Sequence, residues 1–434
     1  MGERMRVGLL GCGNVGSAVV RMLHDHAEEI ARRSGTEIEI VRIGVRDPRR
    51  PRDVPVDSDR FTADLRALVA DRDVDVIVEL LGGVEPARSL MLAAFSGGKP
   101  VVTANKELLA SHSLELFRAA AEGGVDVLYE ASVGGGIPLI RPLREGLAGD
   151  RIGRFMGIVN GTTNYVLTRM AEEGLDLDEA VAEAQSLGYA EADPSADIDG
   201  HDAAAKAAIL ATIAFDLPVV ASDVYREGIR EVSAEDIAYA RGLGYTVKLL
   251  VIGESDDGEV SVRVYPAMIP SEHPLASVRE SFNAVYLEGQ KVGPLMLYGR
   301  GAGGDPTATS VVGDLIELAR NRVAGLGYGA PLVAHTPERP RGRIKPIEEL
   351  SAQYYILLRV ADRPGVLAAI AGSFAEHDVS IKSVRQEGHG DQAQLVLITH
   401  RAAEGSLRAC VRDLGGLEPV QSVMSVLRVE AAEP

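Results

Sequence analysis

Lys206 lies four residues after Asp202 in the run His201-Asp202-Ala203-Ala204-Ala205-Lys206-Ala207-Ala208. A carboxylate and an ammonium at that spacing share one helix face, where an exposed pair contributes only about 0.2–0.5 kcal/mol. So uniform an alanine helix also suggests close packing, and a lysine held there suits proton transfer as well as it suits solubility. Ahead of it, residues 172–202 carry eleven carboxylates and no Lys or Arg. The first six, Glu172, Glu173, Asp176, Asp178, Glu179 and Glu183, fall at helical spacings and read as a solvated face. The later five, Glu191, Asp193, Asp197, Asp199 and Asp202, lie in a Gly/Pro/Asp segment, and loop carboxylates of this kind can bind a substrate ammonium group.

Near the start, Gly11-Cys12-Gly13-Asn14-Val15-Gly16 fits the pattern G-x-G-x-x-G between an expected strand and a helix expected to run to about Ser34. Gly11 can make the tight turn, Gly13 lets the backbone approach a pyrophosphate, and Gly16 permits close packing of helix on strand. The free N–H groups at the helix start, from Asn14 and Val15, attract the phosphates. Cys12 inside the loop reads as a small filler more readily than as a reactive thiol.

The end of the second strand decides between nicotinamide cofactors, because a carboxylate there accepts from a free ribose 2′-OH and repels a 2′-phosphate. Here Arg46, Arg49, Arg50 and Arg52 surround a single Asp47. Arg46 is suited to stacking on adenine or pairing with the phosphate, so the loop favours NADP(H), with Asp47 leaving room for NAD(H); a solvated basic loop is the bland alternative. Lys106 follows the strand Val101-Val102-Thr103, at the carboxyl end of the sheet where an open α/β fold binds its ligand. Position alone does not separate a lysine facing nicotinamide and substrate from a surface lysine. The Gly-rich segments at 133–136 and 299–304 allow close backbone approach to a ligand or ion, or are ordinary turns.

These residues need a frame. Strands are expected at Arg6 to Leu10, Ile38 to Val45, Val74 to Leu80, Pro100 to Thr103 and Val125 to Glu130, alternating with helical patterns. Their nearly continuous apolar character predicts a parallel sheet covered on both faces, a Rossmann-type doubly wound α/β domain. Residues of about 150–300 read as an α+β domain, with an acidic helix near 172–187, an Ala-rich helix near 202–214 and strands near 245–252 and 259–265. Pro331, Pro337, Pro340 and Pro346, with Arg339, Arg341 and Arg343, predict an extended linker. After it, a pattern of β-α-β-β-α-β predicts a ferredoxin-like unit. The domain boundaries expected are 1–136 plus about 301–330, then 137–300, a linker at 331–350, and 351–434.

The 434 residues, with 45 Lys+Arg against 63 Asp+Glu, carry a formal charge of −18, which argues against nucleic-acid or anionic-membrane partners. Two cysteines, Cys12 and Cys410, exclude a disulfide framework. With neither a signal pattern nor a spanning apolar run, a cytoplasmic protein is expected.

Taken in order, the glycine loop, Thr103-Ala104-Asn105-Lys106, Tyr129 to Pro138, Asn160-Gly161-Thr162-Thr163-Asn164, Leu187 to Glu191, Asp202 to Lys206 and Gly301-Ala302-Gly303 resemble homoserine dehydrogenases of the bacterial type with a C-terminal ACT regulatory domain. The resemblance covers essentially the whole chain. It implies NAD(P)-dependent interconversion of L-aspartate 4-semialdehyde and L-homoserine, in threonine, methionine and isoleucine biosynthesis. It makes Lys206 the acid that protonates the alkoxide, Glu191 and Asp202 the substrate ligands, and Lys106 a residue of the cofactor and substrate junction. Gly188 and Gly303 become cofactor contacts. Glu130, Val133, Gly135 and Ile137 match a monovalent cation site, taken as Na⁺ and built largely from backbone carbonyls. Asp362, Gly365, Val366 and Leu367 match the turn where ACT domains bind an amino-acid effector, here threonine, and a homodimer or homotetramer is implied. Ala192 stands where many relatives have proline.

Two other readings compete. A phosphorylating semialdehyde dehydrogenase needs a nucleophilic cysteine in the second domain, where neither Cys12 nor Cys410 lies. A non-catalytic amino-acid sensor would be favoured by loss of Lys106, Glu191, Asp202 or Lys206, and all four are present.

Overall fold

The computed structural model describes residues 4–256, 258–326, 342–388 and 393–430. From the start the elements are β1 (Met5–Leu10), α1 (Asn14–Asp25), α2 (Ala27–Ser34), β2 (Ile38–Gly44), β3 (Phe61–Thr62), α3 (Leu65–Ala70), β4 (Val76–Glu79), α4 (Ala87–Ser96), β5 (Val101–Thr103), α5 (Lys106–Glu122) and β6 (Val127–Leu128). There follow β7 (Ile152–Ile158), α6 (Gly161–Glu173), α7 (Leu177–Ser186), α8 (Ser195–Ile198), α9 (His201–Ala214), β8 (Tyr225–Arg226), α10 (Ala234–Gly242), β9 (Tyr245–Asp256), β10 (Glu259–Pro270), β11 (Phe282–Gly289), β12 (Gly293–Arg300) and α11 (Gly304–Val323). The last are β13 (Arg343–Ile344), β14 (Ser351–Ala352), β15 (Tyr354–Val360), α12 (Val366–Glu376), β16 (Ile381–Glu387), β17 (Ala393–Thr399), β18 (Ala402–Ala403), α13 (Glu404–Leu414) and β19 (Val420–Val429).

Two compact units result, one of Met1–Phe155, Ala205–Val224 and Asn283–Gly342, the other of Met156–Ala204, Tyr225–Phe282 and Arg343–Pro434. The first holds a parallel sheet in the order β3-β2-β1-β4-β5-β6. Every residue of β4 and β5 is buried, as strands covered on both faces must be. Val7, Leu9, Val76 and Val102 of the sheet share one core with Val19 and Leu23 of α1 and with Val311, Leu315 and Leu318 of α11. Each such side chain stabilises the fold by about 1.5–3 kcal/mol relative to exposure. Helix α11 thus closes the face of the sheet that α1 begins to cover.

In the second unit β9 and β10 form a long antiparallel hairpin, from Asp256↔Glu259 to Tyr245↔Pro270. Strand β19 continues that sheet in parallel with β10, through Ala267↔Arg428 and Met268↔Val429, and the order runs on as β19-β15-β17-β16. The C-terminal segment has the β-α-β-β-α-β order expected of it, with Ile356, Leu358, Ile370, Phe374, Leu397, Leu407, Cys410 and Leu414 in its core.

Several boundaries differ from the expectation, each for a local reason. The first helix breaks at His26, whose backbone leaves helical geometry, so α1 and α2 are separate. The expected strand at 125–130 pairs only over 127–128, because Glu130–Ser132 turn into a 3₁₀ helix. The acidic helix near 172–187 is α7 alone. Gly174, at φ 71°, ends α6 in the left-handed region, and Asp176 and Glu179 start α7 with a reciprocal capping box. Of the proline-rich linker, Pro331, Pro337, Pro340, Arg339 and Arg341 lie outside the described residues. Its C-terminal end is held, since Arg343 and Ile344 pair with Glu259 and Val260 and Ile347 is buried. Among the described residues no helix is long and apolar enough to cross a membrane.

Candidate active site

The glycine loop joins β1 to α1. Gly11 has φ 96°, and a Cβ on it would lie 2.6 Å from the Leu80 carbonyl oxygen; one on Gly16 would lie 2.3 Å from that of Gly11. Both positions therefore require glycine for packing. A Cβ at Gly13 would meet nothing within 4 Å, so that residue faces open space at the α1 N-terminus, beside the amides of Asn14 and Val15. Helix α11 starts against the same loop, for a Cβ on Gly304 would lie 2.7 Å from Asn14 Oδ1, and Gly303 precedes it at φ 114°. Two helix N-termini next to one loop suit a diphosphate.

A cleft of about 390 Å³ beside this loop is lined by Cys12, Gly13, Asn14, Ser17, Arg21, Arg50, Pro51, Arg52 and Asp53. Its cations are Arg21, Arg50 and Arg52, while Arg46 is exposed and outside the lining. The loop itself is braced. Arg52 donates to the carbonyls of Asp47 at 3.1 Å and Arg50 at 2.8 Å and lies over the Phe61 ring, and Asp47 Oδ1 accepts from the Arg49 amide at 3.0 Å. Cys12 Sγ is 3.5 Å from Ser17 Oγ, which fits the filler reading.

Lys106 opens α5 at the carboxyl end of β5, and a buried network sets where that helix begins. Thr103 Oγ1 donates to Glu79 Oε2 at 2.7 Å and accepts from the Asn105 amide at 3.0 Å. The Asn105 side chain caps the helix by accepting from Leu108 N at 3.1 Å and donates to the Gly83 carbonyl at 2.7 Å. Glu79 is fully buried, and burial raises its pKa despite donors from Thr103 and Leu81. Sequence reasoning missed Glu79, although an acidic residue ending an otherwise apolar strand was a visible signal.

Asp202 and Lys206 are carried by α9, each about 8% exposed, among fully or nearly buried alanines at 203–205 and 207–208. The bland reading of an exposed surface pair fails on that burial. In the second unit Asn160, at the N-terminus of α6, donates its side-chain amide to Asp202 Oδ2 at 2.8 Å and to Asp197 Oδ1 at 2.6 Å. Its oxygen caps the helix by accepting from Thr163 N at 2.8 Å. Glu191 is exposed on a loop held from below, where Thr162 Oγ1 donates to the Tyr189 carbonyl at 2.7 Å and Gln185 donates to the carbonyl of Glu191 at 3.0 Å. Gly188, at φ 75°, turns the chain into that loop. The sequence assigns Asn160 no role of its own, because its bridging of two carboxylates appears only once the loop returns to α6.

Glu130 does not present its carboxylate to a metal. One oxygen accepts from the amides of Leu139 at 2.6 Å and Ile140 at 2.9 Å, the other from Arg141 at 2.7 Å. What remains for a cation there is backbone carbonyl oxygen. Gly135 has φ 56° and lies so close to Gly301 that a Cβ would be 2.6 Å from its carbonyl oxygen, and the Gly135 carbonyl accepts from Ser310 Oγ at 2.6 Å. Val133 and Ile137 are buried beside it. Asp314 of α11 accepts from the Glu130 amide at 3.0 Å and from Arg141 at 2.8 Å. Burial, then the neighbouring Glu130 charge, push its carboxyl up to about 8. Among the described residues no group of three or more His, Cys, Asp and Glu side chains could hold a metal ion.

In the C-terminal domain Gly365, at φ 92°, is the turn residue before α12, with Val366 buried, Leu367 half exposed, and Asp362 accepting from Gln386 Nε2 at 3.2 Å.

The sequence matches three family models: the homoserine dehydrogenase NAD-binding domain over residues 11–130, homoserine dehydrogenase over 138–316, and the ACT domain over 354–418. A homoserine dehydrogenase of Mycobacterium tuberculosis is 50% identical over 435 residues, covering 98% of this chain and 97% of its own. The crystal structure of a homoserine dehydrogenase from Thiobacillus denitrificans superposes with a TM-score of 0.93 at 41% identity, over 99% of each chain. A hyperthermophilic archaeal homoserine dehydrogenase in complex with NADPH matches at a TM-score of 0.61 and 30% identity, over 73% of this chain and 97% of its own. On these matches, which run along its whole length, the chain belongs to the homoserine dehydrogenase family of NAD(P)-dependent oxidoreductases acting on CH–OH groups, in the form that carries a C-terminal ACT domain.

Proposed function

We propose that the chain interconverts L-homoserine and L-aspartate 4-semialdehyde with NADP(H) as its preferred cofactor, in the cytoplasmic biosynthesis of threonine, methionine and isoleucine. The observation that carries this reading is the burial of Asp202 and Lys206 on α9. An acid–base lysine must be shielded from bulk water yet reach the reacting oxygen. In oxidation neutral Lys206 takes the proton of the substrate hydroxyl, and in reduction its ammonium returns one to the forming alkoxide. Asp202 and Glu191 hold the substrate ammonium, with Asn160 fixing the Asp202 carboxylate. Lys106 orients substrate at the cofactor junction. The nicotinamide supplies the hydride chemistry of the interconversion.

Gly11, Gly13, Asn14, Val15 and Gly16 would hold the diphosphate, and Gly188 and Gly303 would contact the cofactor. The preference for NADP(H) over NAD(H) rests on the arginine lining of the cleft. Arg50, Arg52 and Arg21 support it from the lining, and Arg46, exposed on the same loop, is the residue proposed to meet the adenine or the 2′-phosphate. A monovalent cation, Na⁺, would be held by the main-chain oxygens of Glu130, Val133, Gly135 and Ile137, consistent with a Glu130 carboxylate already engaged by three amides. Threonine is the proposed effector at Asp362, Gly365, Val366 and Leu367, and the assembly a homodimer or homotetramer.

Rates of homoserine oxidation with NADP⁺ and with NAD⁺, each with and without threonine, test the reading. No turnover with either nucleotide would overturn it, and equal kcat/KM for the two would overturn the NADP preference. Strand β19 is paired with β10, so deleting the C-terminal domain would damage the second unit. Substitution at the turn, Gly365→Asp, is the cleaner test of regulation, and undiminished threonine inhibition would remove the effector assignment.

A further inference from the structure

Segment 225–230 meets a charge cluster at one end, where Arg428 and Glu404 are buried and Glu227 and Arg408 about a third exposed, and supports the acidic turn at the other. At the cluster, Arg428 of β19 donates to Glu227 from Nη1 at 2.6 Å and from Nη2 at 3.1 Å, and to Glu404 from Nε at 3.1 Å. Arg408 of α13 donates to Glu404 at 3.2 Å and lies over the Tyr225 ring, whose hydroxyl bonds to Glu227. Two cations from the C-terminal domain thus face one carboxylate of that domain and one of the segment. Burial would push Glu227 up, and the Arg428 guanidinium outweighs it, so its pKa is held below the usual range.

The other end meets residues 198–200. The Ile229 amide donates to the Ile198 carbonyl at 2.8 Å, the Arg226 guanidinium to the Asp199 carbonyl, and Arg230 to Asp199 Oδ1 at 2.6 Å and Oδ2 at 3.1 Å. There is no slack: a Cβ on Gly228 would lie 2.2 Å from the Ile198 carbonyl oxygen. The supported turn leads directly into Asp202 and contains Asp197, the two carboxylates bridged by Asn160.

We propose that Glu227 is a positioning residue for the amino-acid substrate: clamped by Arg428 and Arg408, it seats the 225–230 strap under the 197–202 turn, so that the ACT domain sets the affinity with which Asp202 holds the substrate ammonium group. The inference rests on the proposed role of Asp202. It also gives the C-terminal domain a part in catalysis without effector, and a physical route along which an effector-induced shift of β19 or α13 would reach the substrate. A bidentate Arg–carboxylate contact fixes orientation as well as distance, so its loss frees the strap to rotate.

The test is Glu227→Gln in the full chain, with steady-state constants for homoserine and NADP⁺ and hydrogen exchange of the 195–203 amides. The expected result is a tenfold or larger rise in KM for homoserine, with KM for NADP⁺ changed less than twofold, and faster exchange confined to that turn. Glu227→Asp should recover part of the lost affinity. Unchanged homoserine KM overturns the proposal, as does a parallel rise in both KM values, which marks general loosening. Should Glu227→Gln fail to fold, Arg408→Gln removes only the outer cation and must show a smaller shift of the same kind, or the proposal falls. If the wild type does not turn over homoserine, the functional reading fails alone. The exchange measurement then decides the strap, with unaltered 195–203 exchange overturning it.

Discussion

Asn160 donates to Asp202 at 2.8 Å and to Asp197 at 2.6 Å, so a single uncharged amide holds two carboxylates side by side at the end of the acidic loop. Two carboxylates set side by side favour a cation nearby, which is the part proposed for the substrate ammonium group. Asn160→Asp keeps the oxygen that caps α6 and replaces the donor with a third anion. KM for homoserine should rise about 10- to 100-fold, the loss of one to two charge-assisted hydrogen bonds, while KM for NADP⁺ stays within twofold. Steady-state kinetics with each substrate varied in turn checks this.

Lys206→Met preserves the bulk of a buried side chain and removes the transferable proton. A drop in kcat of about 10²- to 10⁴-fold is expected, with a melting temperature close to that of the wild type. Retention of near wild-type rates would remove Lys206 from the proton-transfer role.

Arg50 and Arg52 line the cleft beside Gly13 and Asn14. Replacing both with alanine should raise KM for NADP⁺ about 10²- to 10⁴-fold, since charge-assisted contacts contribute about 1.5–3 kcal/mol each, and should change KM for NAD⁺ little. The ratio of the two kcat/KM values is the readout, and Arg46→Ala measured alongside shows whether the exposed arginine contributes.

Thr103→Val keeps the shape of a fully buried side chain and removes both a donor to Glu79 and an acceptor for the Asn105 amide. Leaving such groups unpaired costs about 1–3 kcal/mol each. Chemical denaturation should show a loss of that order, and kcat should fall further than stability explains, because the same hydroxyl sets the start of α5 and hence the place of Lys106.

Asp314 takes up a proton on folding, since its folded pKa of about 8 stands above the 3.8 of an ordinary aspartate. Its contribution is fully present below about pH 4 and is lost as pH rises through about 8, so stability falls with pH across that window. Melting midpoints at intervals from pH 5 to 9 should decline, and in Asp314→Asn the decline should be shallower. An equal slope in the variant would mean that Asp314 titrates normally.

Much of the framework was legible along the chain because it depends on local rules. Glycine spacing after an apolar run marked the nucleotide loop, unbroken Val/Ile runs marked strands buried on both faces, and the β-α-β-β-α-β pattern after residue 350 marked a ferredoxin-like unit. Helix ends were less legible. The break at Gly174 and Asp176 turns on one left-handed residue and one capping box, which the run of acidic residues on either side conceals.

The candidate site residues divide in the same way. Lys206 stood out by its alanine surroundings, and the arginine cluster at 46–52 by its contrast with a net charge of −18. Which of those arginines line the cleft was a matter of how the loop folds back, and that places Arg50 and Arg52 on the lining and leaves Arg46 outside. Glu79 with Thr103, Asn160 with Asp197 and Asp202, and Glu227 with Arg428 are 24, 37, 42 and 201 residues apart in sequence. Residue type and short spacing suffice to announce a chemistry, because loops, helix starts and strands are local objects. Pairing, burial and the choice of hydrogen-bond partner depend on which distant segments are packed together, and only the folded chain decides that.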